Sequence, residues 1–123
     1  NEFIVNDERV NTWFARDFMS PCGGEKVWRQ VLDEISSIKG QVWLTLDIDG
    51  LDGKLVPNTG TPVPGGLTYW QTVEIIETLF SAREATIIGA DVAEIVPGEN
   101  NNVTQFTAAM LATKIIAAHI STL

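Results

Sequence analysis

The sequence predicts an α/β fold: a parallel sheet covered by helices on both faces. Three observations carry this. Helix and strand patterns alternate along the chain in the order helix, strand, helix, strand, helix. The two strand segments, residues 41–47 (QVWLTLD) and 84–95 (EATIIGADVAEI), are short, apolar and rich in β-formers, as in strands with both faces buried. Between and around them, apolar residues recur at helical spacing. The composition agrees, since 123 residues with 45% hydrophobic and 20% charged side chains suit one globular domain with a real core.

Taken in order, residues 1–20 are ambiguous: Phe3, Ile4 and Val5 suit a short strand, and residues 10–18 a short helix. Residues 21–24 (PCGG) break the chain. Residues 25–38 place Val27, Trp28, Val31, Leu32, Ile35 and Ile38 at helical spacing, with Gly40 closing the helix as its C′ residue. The first strand follows. Residues 50–66 hold five Gly and three Pro and read as a loop, long for a compact domain and of a length often tied to function. Thr68 and Gln71 form a capping box for a helix running to about Ser81, with Val73, Ile76, Leu79 and Phe80 on one stripe. After the second strand, residues 97–102 are loop and an Ala-rich helix runs from Val103 to about Ile120. The four Trp residues read as core. The connection between the two strands is expected to be right-handed.

Charge and composition exclude several functions. With 8 Lys+Arg and 16 Asp+Glu the net charge is 8 − 16 = −8, a surface that repels nucleic acid and anionic membranes. No apolar run reads as long enough to span a bilayer. Residues 1–7 lack the basic and apolar regions of a secretory signal. A single cysteine, Cys22, rules out an internal disulfide framework and points to a reducing cytoplasm. A single histidine, His119, rules out a His-rich metal site built by this chain alone.

The sharpest motif is Asp47-Ile48-Asp49. Two acids two apart on a strand point to one side and repel unless one is protonated or a cation lies between them. Hard carboxylate oxygens suit Mg, Ca or Mn. A solvated acidic turn is the alternative; the apolar strand before the motif and the long loop after it favour the metal. An EF-hand is rejected, because Leu51, Asp52 and Asn58 stand where such a loop needs an Asp or Asn, a Gly and a Glu. Residues 59–66 are no phosphate-binding loop, since no Lys-Ser/Thr follows. Asp91 and Glu94 close the second strand, and a carboxylate there could match a planar guanidinium through two parallel hydrogen bonds. In parallel sheets ligands gather outside the carboxyl ends of the strands. Asp47, Asp49 and Glu94 should therefore converge there, beside the Gly/Pro-rich loop.

Three segments in order, residues 44–52 (LTLDIDGLD), 57–68 (PNTGTPVPGGLT) and 89–97 (GADVAEIVP), resemble the ureohydrolase superfamily of arginases, agmatinases and formiminoglutamases. The resemblance covers the chain from about residue 40 onward. It implies a three-layer α/β/α fold with a mainly parallel sheet, of which residues 1–123 are the C-terminal portion of one incomplete domain. It implies two Mn²⁺ ions bridged by a hydroxide that attacks the guanidinium carbon and releases urea. Asp47 and Asp49 inherit the role of metal ligands, Glu94 that of guanidinium clamp, Thr61 a place close to substrate and Asp91 a supporting place near the metals. No further catalytic residue is assigned in this segment.

Two departures stand out. Gly53 replaces the family's usual Pro, and the G-G-D-H and D-A-H-x-D segments that carry the remaining ligands are missing. With no initiating Met, the chain reads as a fragment, inactive without the N-terminal half. The expected substrate is a small guanidino or amidino compound such as arginine or agmatine, and a homo-oligomer is expected, with neither nucleic acid nor membrane as partner. The alternatives are a formiminoglutamate-type hydrolase and a non-catalytic remnant that kept the fold.

Overall fold

A computed structural model of the chain describes Asp7 and residues 9–122. The strand anticipated at Phe3 to Val5 lies outside the described residues. The elements are α1 (Ala15–Phe18), α2 (Gly24–Ser36), β1 (Lys39–Asp47), a 3-10 turn (Ile48–Gly50), α3 (Tyr69–Phe80), β2 (Glu84–Ala93) and α4 (Val103–Ser121). The expected alternation is present, and β1 pairs with β2 in parallel.

The helix ends follow local chemistry. Thr68 accepts the Gln71 amide while the Gln71 side chain accepts the Thr68 amide, so the capping box starts α3 as read. Gly40 does not cap α2. That helix ends at Ser36, with the Ser37 amide donating to carbonyls of its last turn, and Gly40, at φ 81, bends the chain inside the start of β1. A positive φ is easiest for glycine, so the residue suited the place for a different reason than capping.

The core gathers Ile48, Leu51 and Val56 from the turn and loop, Val73, Ile76 and Phe80 from α3, and Ala108, Leu111 and Ile115 from α4. Leu44, Leu46, Ile87 and Val92 of the sheet pack on it. Ile87 and Val92 are five apart in sequence, which a regular strand would put on opposite faces. A bulge reconciles them: Val42 pairs with Ile87 and Trp43 with Gly89, leaving Ile88 as the extra residue.

The sheet is not covered on both faces among the described residues. α3 and α4 take one face, and α2 packs beside α3, where the Trp28 indole donates to Glu74 at 2.8 Å. On the other face Gln41, Trp43, Thr45 and Asp47 alternate as exposed residues. The expectation of buried strands thus holds for one layer only. Trp28 is half-buried beside α3, but the other three Trp residues are not core. Trp43 is 58% and Trp70 71% exposed, because each stands on the face of its element turned from the core. One sequence expectation on membranes also changes: α4, with 19 residues and a mean hydropathy of 1.2, is long and apolar enough by length and composition to cross a bilayer. In this fold one side of it is a core helix, with Thr104, Ala108, Leu111 and Ile115 buried.

Candidate active site

β1 ends at Asp47, and the chain then tightens into the 3-10 turn rather than continuing extended. Completely buried Ile48 is the anchor of that turn. The Leu51 amide donates to the Ile48 carbonyl at 3.1 Å. Asp47 and Asp49 are therefore not two residues of one straight strand. Asp47 closes the strand and is exposed, and Asp49 sits half-buried in the turn.

Residues 52–66 are a braced loop. Leu51 and Leu67 form an isolated parallel bridge, the Gly53 amide donates to the Val63 carbonyl at 2.9 Å, and Leu51, Val56 and Thr59 are buried. Asp52 organises the loop's neck: its carboxylate accepts the amides of Lys54 at 2.9 Å and Gly65 at 2.8 Å. These bonds, the first foremost, hold the Asp52 carboxyl below its ordinary range, and the Lys54 charge adds to them. The bracing delivers Thr61 to Asp49, where its hydroxyl donates to Oδ2 at 2.7 Å.

Glu94 follows β2 directly. Asp47 is paired with Ala93, so Glu94 emerges at the same end of the sheet as Asp47 and Asp49. Its φ of 62 is the one positive value on a described non-glycine residue. The Thr59 hydroxyl donates to its carbonyl at 2.8 Å, and Glu94 Oε2 lies 3.6 Å from where a Cβ on Gly60 would stand. The T-G-T-P segment thus lies between the two strand ends, with Thr59 and Gly60 at Glu94 and Thr61 at Asp49.

Asp91 stands one step back along β2, paired with Thr45. Its Oδ2 accepts the Trp43 indole N–H at 2.6 Å and the Thr45 hydroxyl at 3.3 Å. The Trp43 ring lies flat enough on Gly89 that any Cβ there would enter it. Cys22 is exposed, and His119, expected to be surface or partly buried, faces Phe80 edge-on with ring centroids 6.3 Å apart, away from the strand ends.

Sequence reasoning missed three contributors. Trp43 was legible, since it alternates with Thr45 and Asp47 on one face. Asp52 had a local signal, an acid two residues before the amide it accepts. Thr59 had none, because its partner is 35 residues away. As for metal, two hard carboxylates at one rim fit part of a divalent-cation site. Among the described residues no group of three or more His, Cys, Asp or Glu could hold an ion.

A parallel α/β sheet with acids at the carboxyl ends of adjacent strands, beside a braced Gly/Pro loop, is the class of structure in hand. The chain belongs to the arginase family, whose model matches residues 2–118. The N(1)-aminopropylagmatine ureohydrolase of Thermus thermophilus is 42% identical over 86 residues, 69% of this chain and 27% of its own length. The enzyme of the same name from Synechocystis is 38% identical over 114 residues, 92% of this chain and 35% of its own. The crystal structure of arginase from Bacillus subtilis matches at a TM-score of 0.71 and 31% identity, covering 94% of this chain and 39% of that one. The chain thus spans about a third of the length of the relatives it matches. The fold is arginase-like, α/β with a parallel sheet.

Proposed function

We propose that the protein carrying this chain is a manganese-dependent hydrolase that cleaves a guanidino C–N bond of arginine, agmatine or a related compound and releases urea. The observation that carries this is the rim itself. Asp47, Asp49 and Glu94 leave two hydrogen-bonded parallel strands at one end, with residues 59–61 bonded to both sides. The names of the relatives support the same reaction class. On this reading the remaining metal ligands and the residues that choose the substrate's tail come from sequence outside these 123 residues, and the segment alone is inactive.

Each residue then has a task. Asp47 and Asp49 would hold the ions. The Thr61 hydroxyl occupies one lone pair of Asp49 Oδ2 and limits rotation of that carboxylate. Glu94 would receive the guanidinium through paired N–H···O bonds, which its planar carboxylate matches. Manganese bound here would supply a nucleophile at neutral pH by acidifying water. Asp91, held by Trp43 and Thr45, stiffens the strand that delivers Glu94.

The test is Asp47→Asn and Asp49→Asn in the protein that carries this chain, with bound manganese measured by elemental analysis and urea by a colorimetric assay. Each substitution is expected to lower urea release by at least about a hundredfold and to reduce metal content. Unchanged metal and urea in both variants would refute the ligand assignment. A panel of arginine, agmatine, guanidinobutyrate and formiminoglutamate separates urea formation from the formiminoglutamate reaction.

A further inference from the structure

We infer that Thr59 is a positioning residue for Glu94, using its hydroxyl to hold the backbone turn that aims the Glu94 carboxylate out of the sheet and over the loop. The inference rests on the proposed function for what Glu94 holds, and on the structure alone for how Glu94 is held.

In an unbroken β2, Glu94 would share a face with Val92, which packs on the core. A carboxylate there would be buried without a partner. Instead Glu94 adopts φ 62, which throws its side chain off the strand's alternation, and its Oε2 comes to rest near Gly60. Left-handed backbone is unfavourable for a residue with a Cβ and persists where surroundings enforce it. The enforcing contact is the Thr59 hydroxyl on the Glu94 carbonyl at 2.8 Å, from a residue only 9% exposed.

Thr59 is itself held. The neighbouring Asn58 amide donates at 2.8 Å to the Thr104 hydroxyl, which is fully buried at the start of α4. The Asn58 side-chain amide donates to the Asn101 carbonyl at 2.6 Å, and the Val96 amide donates to the Asn58 carbonyl at 3.2 Å. Residues 58–59 are thus tied to Glu94 itself, to the chain that follows it and to the start of the last helix. Thr59 is the member of this set that touches Glu94.

The experiment labels glutamate carbonyls with ¹³C and isoleucine nitrogens with ¹⁵N in the protein carrying this chain. Within this chain three Glu–Ile pairs give signals: Glu34–Ile35, Glu74–Ile75 and Glu94–Ile95. The first two belong to helices and serve as internal controls. Glu94→Gln assigns the third by deleting it. In Thr59→Val, which keeps shape and removes the donor, the Glu94–Ile95 signal is expected to move while the helical pairs stay. The KM for agmatine should rise about five- to tenfold with kcat changed less, as for one lost hydrogen bond. Thr59→Ser should restore both readouts to within about twofold. Thr59→Ala repeats the comparison should the Val variant fail to fold. A stationary Glu94–Ile95 signal in Val or Ala, or equal behaviour of Ser and Val, overturns the inference. So does a moved signal with an unchanged KM where Glu94→Gln itself raises the KM. Glu94→Gln with an unchanged agmatine KM would instead overturn Glu94 as the substrate clamp, while the Thr59 signal still decides how Glu94 is held.

Discussion

Asp52 shows how one side chain sets a loop. Its two carboxylate oxygens take the Lys54 and Gly65 amides, and its own amide donates to the Leu67 carbonyl at 3.0 Å. The neck of the 52–66 loop is closed by this residue, and Thr59 and Thr61 keep their places because it is closed. Its folded carboxyl titrates below the ordinary value of 3.8. The sign follows: a depressed folded value means the stabilisation is complete above about pH 4 and is lost as pH falls through the lower, folded value. An NMR pH titration should therefore show the Asp52 carboxyl and the Lys54 and Gly65 amides moving together below the range of ordinary aspartates. Asp52→Asn, with one acceptor oxygen instead of two, should speed hydrogen exchange at Gly65 and flatten that transition. Titration of Asp52 at an ordinary value would show the neck is not held this way. The third acid of D-x-D-G-L-D was visible in the sequence only as part of a pattern. What it bonds to depends on Gly65 coming back to it, which no local signal announces.

At the scale of elements, the sequence was most legible where chemistry is local. The capping box of α3 lies within four residues and was read to the residue. Thr68→Ala removes it and should cost about 1 kcal/mol, seen as a lower denaturation midpoint with an unchanged m-value. An unchanged midpoint would mean tertiary packing, not the cap, sets that end. The last helix, read from its Ala-rich run as Val103 to about Ile120, and the parallel strands, read from the alternation of strand and helix patterns, were also legible. Legibility failed where partners are distant. The bare face of β1 could not be told from a covered one, because QVWLTLD carries apolar Trp43 on the exposed side. Gly40 was misassigned for a related reason: positive φ suits a helix end and a bend inside a strand alike, and the sequence does not say which. For the site, the placement of Asp47, Asp49 and Glu94 at one rim follows from strand ends and was readable. Thr61 on Asp49 and Thr59 on Glu94 depend on loop closure and were not.

For the whole molecule, apolar surface is left open on two sides. One is the sheet face carrying Trp43. The other is the outer side of α4, where Phe106 is 72%, Ile116 60% and Ile120 63% exposed. Contiguous exposed apolar side chains on a small chain favour association. Sedimentation velocity of the isolated 123-residue chain is expected to show species larger than a monomer, and Phe106→Lys with Ile116→Lys should shift them toward monomer. A wild-type chain that stays monomeric at high concentration would mean these faces do not associate by themselves. The bulge at Ile88 carries a last consequence. It is the step that lets Val92 turn inward while Asp91 turns toward Thr45 and Trp43. Deleting one residue there would reverse every following side chain, driving the Asp91 acid into oil and Val92 into water. Length in this strand is therefore as strict a requirement as chemistry. Substitutions along it can be absorbed one by one, but a single-codon deletion between Ile87 and Gly89 would disable fold and rim together, and any transplant of β2 into another sheet has to carry its extra residue along.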